Sequence, residues 1–182
     1  MRRKRAVFLD RDGVINRTFL KDGKARAPDR LEDFEFLPGV KEAINELKQS
    51  GFLTIVVTNQ PDVARGLQTK EVVDSMNEKV AHDLAIDDLK VCFHTDEHGC
   101  QCRKPNSGML LEAASAWDID LSLSYMIGDR YSDIQAGNQA GCTSILVGPG
   151  DRLASERLEQ LLPATQVKSL WEASRWILTH ES

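Results

Sequence analysis

Short, unbroken runs of hydrophobic residues recur along the chain and predict its strands. The run FLTIVVT at 52–58 lacks a regular alternation of apolar and polar positions, which is typical of a strand buried on both faces of a parallel sheet. Five runs predict strands, and they cover 6–10, 52–58, 89–94, 124–129 and 143–147.

Between these runs, apolar residues recur at the spacing of amphipathic helices. Pro38 lies near the predicted start of the first helix, Gly51 suits its C-terminal cap, and Thr69 can cap the second. Helices are predicted over 38–51, 69–85, 107–117, 131–141, 152–162 and 169–180. The alternation of strand and helix predicts an α/β fold, with a single Rossmann-like open parallel sheet and helices on both faces, as one domain over 1–182.

Composition and charge narrow the class of protein. The 182 residues are 41% hydrophobic and 28% charged, and the net charge is -5. An acidic chain without further basic clusters argues against nucleic-acid binding, and no apolar run reaches the length of a membrane span. The basic start at 2–5 precedes too short an apolar run for a signal peptide. We therefore expect a cytoplasmic protein with reduced cysteines and, by default, a monomer.

Two carboxylates follow the first predicted strand directly, and a glycine comes after them. Asp10 ends the strand, Asp12 lies just beyond it, and Gly13 allows a sharp bend that leaves room for a ligand. Ligands of open α/β sheets bind at the carboxyl ends of the strands. A solvated acidic turn would account for this stretch alone. Polar residues are also expected at the same edge after the other strands: Thr58 and Asn59, Lys104, and Asp129 with Asp133.

Together these residues predict a site for a metal ion and a phosphoryl group. Several carboxylates at one crevice repel each other strongly unless a cation neutralises them. Carboxylates with open positions beside them suit Mg²⁺, and a lysine with backbone amides suits phosphate oxygens. The connection over 13–37 also stands out, because a loop longer than about 15 residues in a compact domain is usually functional.

In order along the chain, these motifs resemble those of the haloacid-dehalogenase-like phosphatases. The resemblance implies that Asp10 is the nucleophile, which forms an aspartyl-phosphate, and that Asp12 is the general acid and then the general base. It implies that Mg²⁺ is held by the Asp10 carboxylate, the Asp12 backbone carbonyl and Asp129. It further implies that Thr58 and Lys104 bind the transferring oxygens.

For Asp133 two interpretations stay open. It orients Lys104 or the surroundings of the metal, or it is a first-turn acid favoured by the helix dipole. The resemblance also implies a phosphatase without a separate cap domain, since the insertions after Gly13 and Thr58 are small. Substrate choice would then fall to the loops around the crevice.

A cluster of cysteine and histidine residues predicts a second metal site. Cys92 with His94 and Cys100 with Cys102 form two pairs with one residue between the partners, so an extended chain turns each pair to one face. Four such ligands are what tetrahedral Zn²⁺ requires, and a full set leaves no open position, so this zinc would be structural. Unrelated thiols are the alternative. Cys142 is expected to be a buried core thiol.

This loop narrows the resemblance to the branch that holds heptose-bisphosphate and histidinol-phosphate phosphatases. The segment TNQPDVARG is similar to TNQSGIARG of the heptose enzymes. The resemblance implies that Asn59, Gln60 and Arg65 bind substrate and that Arg103 grips a second, non-transferring phosphate with its guanidinium.

The resemblance therefore implies removal of the 7-phosphate of D-glycero-D-manno-heptose 1,7-bisphosphate, in the synthesis of nucleotide-activated heptose. The chain departs from the heptose pattern at 61–62, where Pro-Asp replaces Ser-Gly, and in a longer loop over 17–33. The alternatives are a histidinol-phosphate phosphatase, a polynucleotide 3′-phosphatase and, from another class, a catalytically inactive, zinc-stabilised binding module. The acidic chain argues against the polynucleotide 3′-phosphatase, and the retained carboxylates and lysine argue against the inactive binding module.

Overall fold

The computed structural model describes residues 3–21, 23–150 and 162–180. Its strands are, in chain order, β1 Arg5–Leu9, β2 Phe19–Lys21, β3 Lys24–Arg26, β4 Phe52–Asn59, β5 Asp88–Cys92, β6 Tyr125–Gly128, β7 Thr143–Val147 and β8 Thr165–Val167. Six of them form one sheet in the order β5-β4-β1-β6-β7-β8, and every neighbouring pair is parallel. The predicted open parallel sheet is confirmed.

Five helices connect and flank the strands. They are α1 Val40–Gln49, α2 Lys70–Leu84, α3 Gly108–Trp117, α4 Tyr131–Ala140 and α5 Leu170–His180. Each begins and ends within two residues of a predicted helix. The Thr69 side chain accepts from the Val72 N–H at 3.4 Å and caps α2 as predicted. The predicted helix over 152–162 lies outside the described residues, apart from its last position.

Two hydrophobic layers, one on each face of the sheet, form the core. Successive residues of a strand point to opposite faces, so Val7 and Leu9 pack with α1, α2 and α5, whereas Ala6 and Phe8 pack with α3 and α4. This arrangement explains why β1 and β4 have apolar residues at successive positions, without alternation. The predicted helices on both faces are confirmed.

The long connection after β1 contains the hairpin of β2 and β3, which the hydrophobic pattern did not predict. Its strands are three residues each, and β2 is exposed along its whole length, so no burial pattern marks it. The Asp-Gly pair at 22–23 was the available signal, since it favours a tight hairpin turn. The Arg130 guanidinium donates to the Ala25 carbonyl oxygen at 3.2 Å and so joins the hairpin to the N-terminus of α4.

The edge strand β8 was also not predicted, because three residues at a sheet edge carry too little pattern. Among the described residues, no helix is long and apolar enough to cross a membrane. The organisation of 1–182 as one domain stays a prediction.

Candidate active site

The register of the sheet brings the ends of three neighbouring strands together. Leu9 of β1 is paired with Ile127 of β6, and the Asp10 N–H donates to the Ile127 carbonyl oxygen at 2.9 Å. The strands that follow β1 in sequence, β4 and β5, lie on one side of it in the sheet, whereas β6, β7 and β8 lie on the other side. Asp10, Thr58 and Asp129 therefore border the crevice that forms where the strand order reverses.

The ammonium of Lys104 lies between two carboxylates in this crevice. Its Nζ lies 2.8 Å from Asp10 Oδ1 and 2.6 Å from Asp133 Oδ1, and it donates to the Val57 carbonyl oxygen at 2.8 Å. Only 3% of Lys104 is exposed. Burial alone would lower the pKa of the ammonium, but Asp10 and Asp133 outweigh burial and raise that pKa, so Lys104 stays charged.

Asp133 uses both carboxylate oxygens within the protein. Oδ1 pairs with Lys104, and Oδ2 accepts from the Arg130 N–H at 3.0 Å at the start of α4. Gly128 leaves the space for this side chain, because a Cβ there would overlap with Asp133. These contacts favour the interpretation that Asp133 orients Lys104, and its role in turnover stays a prediction.

One carboxylate oxygen of Asp129 is buried without a hydrogen-bond donor, and the Arg130 Nε lies 4.0 Å from it. This oxygen is Oδ1, and the carboxylates of Asp10, Asp129 and Asp133 lie within 4.8 Å of one another. Gly13 has a φ of 88°, and a Cβ at this position would overlap with the Asp129 carboxylate. Converging carboxylates with a free buried oxygen are a donor set for a hard cation, so these residues fit Mg²⁺.

The surroundings of Asp10 and Asp129 disfavour the ionised form of both carboxyl groups. Burial raises the pKa of Asp10 to about 6, although Lys104 acts in the opposite direction. Burial, with the charges of Asp10 and Asp133 added to it, raises the pKa of Asp129 to about 8. A cation at this position would remove the penalty, because it favours the ionised form of both groups.

The Asp12 carboxylate lies beside this group and receives hydrogen bonds from three side chains. Gln60 Nε2 donates to Oδ2 at 2.6 Å and Asn16 Nδ2 donates to Oδ1 at 3.0 Å. Arg11 Nη2 donates to both oxygens, at 3.2 and 3.1 Å. Gln60 Nε2 also donates to Thr58 Oγ1 at 3.0 Å, so its amide joins the two predicted catalytic side chains.

The four predicted zinc ligands converge on one point. Their ligand atoms lie within 4.8 Å of one another, with Cys102 Sγ 3.1 Å from Cys92 Sγ and 3.4 Å from Cys100 Sγ. His94 Nδ1 lies 3.3 Å from Cys102 Sγ. Tetrahedral zinc with bonds of about 2.3 Å needs sulfurs about 3.8 Å apart, so small shifts would seat the ion. The four side chains form a cluster suited to zinc.

The cluster lies directly before the residues that enter the crevice. Asn106 Nδ2 donates to the Cys100 carbonyl oxygen at 2.8 Å. The side-chain amide of Asn59 exchanges two hydrogen bonds with the Lys104 backbone, at 2.9 and 3.1 Å. Asn59 thereby positions Lys104, and its predicted contact with substrate stays a prediction.

The two predicted substrate arginines lie against carboxylates on the loops around the crevice. Arg103 Nε donates to Asp96 Oδ1 at 2.7 Å, and Arg65 Nη1 donates to Asp62 Oδ1 at 3.0 Å. Asp62 also pairs with Arg26 of β3 at 3.5 Å, which joins the hairpin to the segment after β4. Arg103 Nη1 also donates to the His94 carbonyl oxygen at 3.3 Å. The substrate contacts of both arginines stay predictions.

Sequence reasoning missed Arg11, which is fully buried behind Asp12. A charged residue between two functional carboxylates at the end of an apolar strand was the available signal, because a charge placed there needs a partner. The ion pair of Arg26 with Asp62 was not predicted either, because Arg26 lies in the hairpin that the sequence pattern did not show.

Comparison with known proteins decides the family. D-glycero-beta-D-manno-heptose-1,7-bisphosphate 7-phosphatase of Escherichia coli (strain K12) is 38% identical over 164 residues, which cover 83% of this chain and 83% of that protein. The enzyme of the same name from Yersinia pestis is 37% identical over 164 residues, 83% of this chain and 84% of the relative. The chain belongs to the haloacid-dehalogenase-like phosphatases. A family model described as HAD-hydrolase-like also matches residues 101–173 of the chain.

Solved structures of other haloacid-dehalogenase-like phosphatases have the same fold. D,D-heptose 1,7-bisphosphate phosphatase from B. bronchiseptica, complexed with magnesium and phosphate, has a TM-score of 0.81 at 31% identity and covers 96% of this chain and 98% of its own. The corresponding enzyme from Burkholderia thailandensis has a TM-score of 0.66 at 28% identity, with 97% and 99% covered. Magnesium in a relative agrees with the donor set at Asp10 and Asp129.

Proposed function

We propose that this phosphatase removes the 7-phosphate of D-glycero-D-manno-heptose 1,7-bisphosphate. The observation that carries the chemistry is the buried arrangement of Asp10, Lys104 and Asp129 at the carboxyl edge of the sheet. The substrate follows from the match to the heptose enzymes over 83% of the chain. Such an enzyme would act on a phosphorylated sugar in the cytoplasm, as a monomer and without nucleic acid.

In the first step, an oxygen of Asp10 attacks phosphorus and the bond to the sugar oxygen breaks, which leaves an aspartyl-phosphate. Lys104 holds the other Asp10 oxygen and fixes the direction of attack. Asp12 gives its proton to the departing sugar oxygen. Thr58 and Lys104 would contact the oxygens that gain charge in the transition state, where each donor is worth about 2.7–4 kcal/mol of the barrier.

In the second step, Asp12 takes a proton from water, and the water oxygen attacks the aspartyl-phosphate. The bond between the Asp10 oxygen and phosphorus breaks, so inorganic phosphate leaves and both carboxyl groups return to their starting forms. The two acidic residues thus act on different atoms, since Asp10 faces phosphorus and Asp12 faces the oxygen that leaves or enters.

The Asp10 carboxylate, the Asp12 backbone carbonyl and Asp129 would hold Mg²⁺. When bound, Mg²⁺ neutralises the carboxylates and reduces their repulsion of the anionic substrate. The cluster of Cys92, His94, Cys100 and Cys102 would hold a structural zinc ion that fixes the loop leading to Arg103 and Lys104.

Phosphate release in the presence of Mg²⁺ tests this proposal. The substrates are both anomers of heptose 1,7-bisphosphate, histidinol phosphate and a 3′-phosphorylated oligonucleotide. We expect kcat/KM for the preferred heptose anomer to exceed that for histidinol phosphate by at least about tenfold, since a second phosphate that pairs with Arg103 adds about 1.4 kcal/mol or more. A preference for histidinol phosphate would overturn the substrate, and no release from any substrate would favour the inactive binding module.

A further inference from the structure

Arg11 is a buried guanidinium that joins the Asp12 carboxylate to helix α2. Its exposed fraction is 0%, in the turn directly after β1. Nη2 contacts both Asp12 oxygens, and Nη1 donates to Asn77 Oδ1 at 2.8 Å. Asn77 lies within α2 and is itself buried. A buried arginine is costly unless it is paired, so this position is fixed by its two partners.

The Asp12 carboxylate has few free acceptor positions left in this arrangement. Two carboxylate oxygens offer about four acceptor positions, and Arg11, Asn16 and Gln60 together make four contacts to them. A carboxyl group that exchanges a proton with the sugar oxygen or with water needs one of these positions. One donor must therefore move away during turnover, while the others keep the group in place.

The donors differ in how firmly they are anchored. All three are buried, but Arg11 is also held by Asn77 at 2.8 Å, and Asn16 also donates to the Arg17 carbonyl oxygen at 3.1 Å. Gln60 reaches Asp12 from the segment after β4 and shares its amide with Thr58, a predicted phosphate contact. A bound phosphoryl oxygen is an acceptor and would compete with Asp12 for the side-chain N–H of Gln60, whereas Arg11 is fully buried and lies out of its reach.

We propose that Arg11, anchored by Asn77, is a positioning residue that holds Asp12 in the direction of the leaving oxygen, while Gln60 is the donor that gives way. This inference rests on the proposed phosphatase chemistry and adds a link from α2 to the proton-transfer step. The guanidinium contacts neither phosphorus nor the sugar, so it acts through Asp12. Loss of the link should slow proton transfer and leave substrate binding unchanged.

Two substitutions test the link, and one restores it. Asn77→Leu removes the acceptor for Arg11 without touching Asp12, and Arg11→Lys keeps the charge but cannot contact both partners. We expect kcat for the sugar phosphate to fall about tenfold in Asn77→Leu and about 10²-fold in Arg11→Lys, with KM unchanged. Asn77→Asp keeps an acceptor oxygen for Arg11 and should keep kcat within about threefold of the wild type.

The nature of the leaving group separates positioning from simple destabilisation. With p-nitrophenyl phosphate, whose leaving group needs little protonation, the loss of kcat/KM in Asn77→Leu and Arg11→Lys should be several-fold smaller than with the sugar phosphate, because kcat/KM reports the first step and not the later attack of water. Val73→Ala is the matched control, since it removes buried methyl groups from the same helix and leaves Arg11 untouched. It should lower Tm but not kcat at a temperature well below Tm.

The inference is overturned if both variants turn over the sugar phosphate like the wild type. It is also overturned if kcat/KM falls equally on both substrates, as a general loss of folded protein would predict. Should Arg11→Lys fail to fold, Asn77→Leu alone decides. Because histidinol phosphate also has an alkoxide leaving group, the test works with whichever substrate the wild type prefers, and failure of the proposed substrate is visible in the wild type alone.

Discussion

The crevice at the carboxyl edge of the sheet and the cysteine cluster beside it are both suited to a metal ion, yet they are built in opposite ways. The crevice brings together Asp10 and Asp129, which are distant in sequence and are placed by the register of β1 and β6. The cluster draws its four ligands from one loop between Cys92 and Cys102. The crevice therefore depends on the fold of the sheet. The cluster depends on one loop, which a bound zinc ion would hold together.

The two sites also differ in charge. In the crevice, burial and mutual repulsion raise the pKa values of Asp10 and Asp129, so the carboxylates destabilise the folded chain that carries them. In the cluster, burial raises the pKa of Cys92 to about 12. A bound zinc ion would lower the pKa of the thiols again, because it stabilises the thiolates that coordinate it. We infer that the crevice exists for chemistry and the cluster for stability.

The largest expected effect comes from Asp10→Asn, which removes the proposed nucleophile. We expect kcat to fall by more than about 10³-fold, because loss of a nucleophile removes the covalent route. If the crevice carboxylates destabilise the folded chain, then without magnesium the Tm of Asp10→Asn should not fall below the Tm of the wild type. Phosphate release and thermal unfolding, measured on the same preparation, check both statements.

Asp118→Asn is the matched control for this variant, since Asp118 is an exposed aspartate at the end of α3 whose ion pair is with Arg3, at 3.8 Å, and not with a residue of the crevice. Its kcat should equal that of the wild type. Activity retained in Asp10→Asn would refute the nucleophile assignment. A large drop in its Tm would refute the contrast between the two sites.

How far the sequence predicts this contrast differs between the sites. Asp10, Thr58 and Asp129 could be placed at one edge because buried parallel strands set their positions before any side chain is considered. The contacts of Lys104 with Val57 and Asn59 could not, since they depend on how the loop after the cluster packs. Local spacing, by contrast, was enough to assemble the cysteine cluster.

Arg11 and the hairpin of β2 and β3 show where pattern reasoning ends. A charged residue at the end of an apolar strand can face solvent or the interior, and only the partner Asn77, 66 residues away, decides it. The hairpin is too short and too exposed to leave a periodic signal. Both features depend on contacts between distant segments rather than on local preference.

A smaller loss of activity is expected from Asp133→Asn, which tests how the crevice holds Lys104. The amide oxygen can still accept from the Arg130 N–H, but the charge that pairs with Lys104 is lost. We expect kcat to fall by about 10²-fold, since a misplaced lysine weakens the stabilisation of the transition state. Steady-state kinetics check the value, with Asp120→Asn as the control, because the Asp120 carboxylate also accepts from a backbone N–H at the start of a helical turn, that of Ser122 at 3.0 Å. An unchanged kcat would leave Asp133 as a helix cap alone.

Cys100→Ser moves the comparison to the other site, where we expect the effect on stability to dominate. Loss of one of four ligands should reduce the zinc content below one ion per chain and lower Tm by about 5 °C or more. Metal analysis and thermal unfolding measure the two quantities. Cys142→Ser is the matched control, because this buried thiol lies outside the cluster. Equal zinc content in the two variants would contradict the zinc site.

The smallest effect is the dependence of magnesium stabilisation on pH. The folded-state pKa values of about 6 for Asp10 and about 8 for Asp129 lie above the unfolded value of about 3.9. Between these values the magnesium-free folded chain binds more protons than the unfolded chain, so its stability falls as pH rises through about 4 to 8. Magnesium competes with those protons, and its gain in Tm should therefore be larger at about pH 8.5 than at about pH 6.

Thermal unfolding with and without added Mg²⁺ at the two pH values measures this difference. Asp129→Asn removes one of the titrating carboxylates, so its gain in Tm should be small at both pH values. The zinc site offers an internal comparison, since Cys100→Ser leaves the crevice intact and should keep the full pH dependence of the magnesium effect. Equal gains at both pH values in the wild type would mean that the pKa values of the crevice carboxyl groups are not raised in the folded chain. The contrast between a destabilising crevice and a stabilising zinc cluster would then fail.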